Sequence, residues 1–153
     1  MTEIKTSQIL LPEGSAHGQL FYVLHEENEQ LTNMPFLLGT IRAEFPDAVI
    51  QLAVVALEED AHRPAAESSE ADASVTAQLA PRLGESIKSL EHDIQMSQNR
   101  QGVLSEATAV VGVGRAGSLV LGLTLLEQPI AGRIITFGAA FPAYPLGRQK
   151  TSE

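Results

Sequence analysis

Residues 107–126 constrain the fold of this chain more than any other stretch. Ala107 to Val113 is an apolar, β-branched run that reads as a buried strand. It ends in the glycine-rich turn Gly112-Val113-Gly114-Arg115-Ala116-Gly117. Ser118 to Leu126 follows at once and is apolar on nearly every side, which reads as a helix that needs burial all round. A buried strand that turns straight into a helix is half of a strand–helix–strand crossover, the connection that parallel strands require. Such a chain is directed towards a helix-covered, largely parallel sheet.

The remaining segments supply units of the same kind. Ile4 to Leu11 and Gln19 to Leu24 read as strands joined across Pro12-Glu13-Gly14-Ser15, and the short connection predicts an antiparallel hairpin. Leu31 to Phe45 places Leu31, Met34, Leu37, Leu38 and Ile41 at helical spacing, and Pro46-Asp47 stops it. Ala48 to Leu57 is a near-continuous apolar run, the pattern of a strand covered on both faces. Residues 58–74 read as a flexible acidic loop. Val75, Leu79, Leu83, Ile87, Leu90 and Ile94 then mark an amphipathic helix ended by Asn99 to Gly102; Pro81 is either a kink in it or its first turn. Ile130 to Phe137 holds a last strand, and residues 142–153 form a tail. The expectation is a single domain over 1–153. Its class is α/β: a mainly parallel, doubly wound sheet with an N-terminal antiparallel hairpin, in a three-layer sandwich.

Charge and composition exclude several functions. The net charge is −9, with 16 acidic and 5 basic side chains in residues 1–93 and only 3 acidic and 5 basic in 94–153. An acidic chain repels phosphate backbones, so no nucleic-acid partner is expected. The absence of cysteine removes disulfides, thiolate chemistry and cysteine-based metal sites. His17, His25, His62 and His92 come with no converging ligand spacing, so no metal and no cofactor are expected. No apolar stretch is long enough for a bilayer, and the first residues lack the layout of a signal peptide; the expected location is cytoplasmic, away from membranes.

Four segments, in order, carry a resemblance. Phe21-Tyr22-Val23-Leu24-His25 resembles a strand that runs into an oxyanion loop of the form Leu-Leu-His-Gly-x-Gly-Asp. Phe45-Pro46-Asp47-Ala48 resembles the entry to the next strand, Ala109 to Gly117 a nucleophile elbow of the form Gly-Phe-Ser-Gln-Gly, and Ile130-Ala131-Gly132-Arg133-Ile134-Ile135 the strand after it. Together they resemble the small bacterial carboxylesterase/phospholipase group of the α/β-hydrolase superfamily, the acyl-protein thioesterase type. The likeness extends over the first two-thirds or so of that fold, which implies a truncated, degenerate member. It implies an elbow in which Gly112 keeps the first glycine, Gly114 stands in place of the serine, and Ala116 in place of the second glycine. It implies an oxyanion loop at His25, Glu26 and Glu27 in which carboxylates replace glycine. Carboxylates beside a developing oxyanion oppose its formation. Neither Asp nor His follows Asp93, so the partners expected after the elbow are missing from these 153 residues. The implied catalytic set is empty.

Two other uses of the turn stay open. Ser118 is the weak alternative nucleophile, with a helix-start role as the plainer reading. Gly112 to Gly117 also spells Gly-x-Gly-x-x-Gly between a strand and a helix, but no carboxylate closes the next strand to hold a ribose. A looser anion or nucleotide site on Gly114, Arg115 and Gly117 needs only main-chain donors and one cation. The apolar helix and the last strand also lack cover on their open side, so residues 118–137 are expected to meet a second copy or a related protein, the alternative being that the tail from Ala139 to Pro145 folds back over them. The expected function is binding by an inactive hydrolase-like protein; residual serine esterase or thioesterase activity is the alternative.

Overall fold

The strands buried on both faces form the middle of the sheet. A computed structural model describes residues 3–14, 17–27, 33–57 and 73–138. The elements in chain order are β1 (Ile4–Leu10), β2 (Gln19–Glu26), α1 (Met34–Glu44), β3 (Ala48–Val55), α2 (Ala73–Gln101), β4 (Thr108–Val113), α3 (Arg115–Gly122) and β5 (Arg133–Phe137). The strands lie in the order β1-β3-β2-β4-β5. β2, β3, β4 and β5 are mutually parallel, with Phe21 beside Ile50 and Ala109, and Val111 beside Ile135. Side chains of β2, β3 and β4 are almost all buried, as strands covered on both faces must be.

The antiparallel strand is present, but its partner differs from the hairpin expected between β1 and β2. β1 pairs with β3, Ile4 opposite Val55 and Leu10 opposite Ile50, with a register shift between Thr6 and Gln8. The reason lies in β2. Both of its margins are taken, by β3 on one side and β4 on the other, so the first strand docks outside β3.

Helices cover the two faces. α2 and α3 pack Ile87, Leu90, Ile94, Ala116, Leu119 and Val120 against Tyr22, Leu24, Ala53 and Val110. On the other face, α1 sets Met34 and Ile41 against Phe21, Val23, Ile50, Leu52 and Val111. This is a doubly wound, three-layer α/β architecture. α1 starts after Asn33 with Pro35 in its first turn, where a missing N–H costs no hydrogen bond. α2 begins well before Pro81, which is therefore internal to the helix, and it ends at Gly102 with φ +66°. There the Val103 N–H donates to the Gln98 carbonyl at 3.0 Å, closing the last turn. α3 begins at Arg115, earlier than the expected Ser118, and gives way to a 3₁₀ turn at Leu123–Leu125. Leu119, Val120 and Leu123 of this segment are buried, while Leu125 is exposed. The expected acidic loop falls almost wholly, and the tail at 142–153 wholly, outside the described residues.

Candidate functional site

The turn between β4 and α3 has the backbone that only glycine adopts at low cost. Gly114 sits at φ 61°, ψ −138°, a region in which a side chain is strained. Its N–H donates to the Phe137 carbonyl at 2.8 Å, and its own carbonyl accepts from the Gly117 N–H at 3.0 Å. Gly112 serves a different purpose: a Cβ there would lie 2.5 Å from the Gly117 Cα and 2.9 Å from the Val120 side chain. Its bareness lets α3 sit directly on β4. Ala116, Gly117 and Ser118 are buried in that contact.

Beside the turn, β2 delivers His25, Glu26 and Glu27. Leu24 is in register with Gly112, so the ends of β2 and β4 are adjacent. Glu26 and Arg115 meet there, Oε1 to Nη1 at 3.3 Å, with the Glu26 side chain 16% exposed and that of Arg115 40%. The Glu27 N–H donates to the Val55 carbonyl at 3.0 Å, which ties the loop back to β3. His25 is buried, with Nδ1 3.1 Å from the Glu26 carbonyl.

Ser118 and His25 are not brought together. Strand alternation sends His25 to the face of Phe21 and Val23, which α1 covers. Ser118 lies in α3, which packs on the opposite face against Tyr22 and Leu24. Among the described residues no group of three or more His, Asp or Glu could hold a metal ion, and no helix is long and apolar enough to cross a membrane.

One polar pair under the centre of the sheet escapes sequence reasoning. The Tyr22 hydroxyl, fully buried, donates to Asp93 Oδ2 at 2.5 Å. Burial, the hydrogen bond to Asp93 and its negative charge, in that order, push the phenol far above its usual range, so it stays protonated. The available signal is a tyrosine in the middle of an apolar strand, whose hydroxyl needs a partner. Ser86, Asp93 and Ser97 interrupt α2 at helical spacing, and Ser86 and Ser97 are buried.

The fold has a solved counterpart. The crystal structure of esterase PE8 is similar at a TM-score of 0.59 and 19% identity, over 91% of this chain and 66% of that one. The fold is hydrolase-like. At this identity the likeness speaks for architecture alone, and the chain spans just under two thirds of the esterase chain's length. No family model and no curated protein matches the sequence.

Proposed function

We infer that this hydrolase-like chain is catalytically inactive and works by binding. The observation that carries the reading is Gly114: the strand-to-helix turn has a backbone suited to displaying one residue, and that residue has no side chain. Acyl transfer at that point needs an attacking oxygen or sulfur, which glycine lacks. The Glu26–Arg115 ion pair beside the turn adds support. It places a carboxylate next to the position where a developing oxyanion needs donors, the reverse of the required electrostatics. The groups suited to a free anion or nucleotide at the turn are likewise engaged within the chain: Gly114 N–H by Phe137, Gly117 N–H by Gly114, and Arg115 by Glu26.

The deciding experiment is hydrolysis of aryl esters and short acyl thioesters by repurified protein, beside a Ser118→Ala variant. The expected result is no turnover above buffer for either. Saturable turnover by the parent chain that disappears in Ser118→Ala would restore the enzyme reading.

A further inference from the structure

We propose that the partner bound is a second copy of this chain, added antiparallel along the margin of β5 that no described strand occupies, about a two-fold axis through Ile135. The proposal deepens the binding reading by naming its partner.

The main chain of β5 sets the geometry. Phe137 accepts from Gly114 N–H, so its main-chain groups point at β4. By strand alternation Arg133 and Ile135 point theirs the same way, while Ile134 and Thr136 direct theirs outward. β5 runs beside β4 in unbroken register, from Arg133 against Ala109 to Phe137 against Val113. It contains no proline, so nothing in it blocks a further strand.

The side chains make that margin complementary to itself. An antiparallel copy centred on Ile135 sets Ile134 opposite the second copy's Thr136, and Thr136 opposite its Ile134. Both are outward-facing pairs that exchange reciprocal main-chain hydrogen bonds. Ile135 then meets its own counterpart at the axis. Arg133 meets the second copy's Phe137 on either side, in pairs whose side chains stand closest across antiparallel strands. Each guanidinium lies against an aromatic ring, an attractive arrangement made twice by symmetry. In the described structure Arg133, Ile135 and Phe137 are exposed on one face, Ile135 by 37% and Phe137 by 49%. Charge is compatible too: residues 94–153 carry 5 basic against 3 acidic side chains, so the half of the chain that holds β5 escapes the acidity of residues 1–93.

The test is absolute mass by light scattering after size exclusion, on the full chain across a dilution series. The expected mass at the concentrated end is twice the 16.4 kDa of one chain. Thr136→Pro removes an outward N–H without touching the β4 ladder, and is expected to return the monomer mass with a cooperative thermal unfolding transition kept. A second variant stands if that one fails to fold. The chain has no cysteine, and facing Cα atoms in a non-hydrogen-bonded antiparallel pair are about 4.5 Å apart, within disulfide reach. Ile135→Cys is therefore expected to cross-link into a covalent dimer under mild oxidation, and exposed Thr124→Cys to remain single. A monomer throughout the dilution series overturns the proposal, as does a dimer in which Ile135→Cys and Thr124→Cys cross-link alike. Ester hydrolysis is measured separately, so a failure of the inactive reading leaves the mass result standing, and the reverse.

Discussion

At one margin of the sheet, β1 presents Lys5, Thr6, Ser7 and Gln8 and breaks register between Thr6 and Gln8. At the other, β5 runs Arg133-Ile134-Ile135-Thr136-Phe137 with no break. A charged side chain and a bulge are the devices that stop a margin from accepting another strand. β1 has both. Its polar side chains also bond to β3: Ser7 Oγ donates to the Leu52 carbonyl at 3.3 Å, and Gln51 Nε2 donates to Thr6 Oγ1 at 3.0 Å. The anchors differ as well. β1 is held from α1, where Arg42 donates to the carbonyls of Leu10, Leu11, Pro46 and Ala48 at 3.0–3.3 Å. β5 is held by close main-chain approach, with Gly132 N–H donating to the Ser105 and Thr108 carbonyls. Among the described residues the two margins of one sheet thus differ in both side chains and anchors.

The anchor of β5 gives the largest expected effect. A Cβ on Gly132 would lie 2.4 Å from the Glu106 carbonyl oxygen, and that oxygen belongs to the main chain. Gly132→Ala should cost about 3 kcal/mol in urea unfolding, the scale of overpacking a site that cannot yield. A variant as stable as the parent would mean that β5 is not held by this approach. Next comes Arg42→Met, which keeps the stem and removes the donors at the β1 margin; a loss of about 2 kcal/mol is expected for hydrogen bonds from a charged group. Should it match or exceed Gly132→Ala, the order of the two anchors is reversed. Ile135→Lys adds a second charge to β5, beside Arg133, at the proposed axis. At the dilute end, where both proteins are single chains, its stability should change by less than about 0.5 kcal/mol, as at other surface sites, while at the concentrated end its mass by light scattering falls to that of one chain. The smallest effect belongs to Lys5→Val combined with Gln8→Val. The register shift remains, so both mass and unfolding midpoint should stay at parental values; a gain in mass would show that charge rather than the bulge protects β1.

How much of this was legible in the sequence differs from element to element. The apolar runs of β3 and β4 and the helical spacing of α1 and α2 are local signals, and each led to the right element. Pairing is not local. Pro12-Glu13-Gly14-Ser15 signals that the chain turns, but the turn leaves open which strand β1 settles beside, and the pairing of β2 with β3 and β4 on its two margins decides it. The sequence signals the start of α3 late because Gly114 to Gly117 has turn chemistry; packing against Gly112 holds Gly117 inside the helix despite its poor propensity. At the candidate site the glycine turn was legible, whereas the Glu26–Arg115 contact was not, since it depends on β2 and β4 being neighbours. Tyr22 and Asp93, 71 residues apart, had only the need of a buried hydroxyl to connect them.

The hydrogen bond from Gly114 to Phe137 has an experimental use. One amide proton, on a glycine whose backbone conformation is rare, is shielded by the carbonyl of the edge strand's last residue. Its isotope exchange in D₂O is therefore a clock for how often β5 lifts away from β4. A single resonance in the glycine region of an amide spectrum would report the opening of the sheet's margin from the side of the β4–α3 turn.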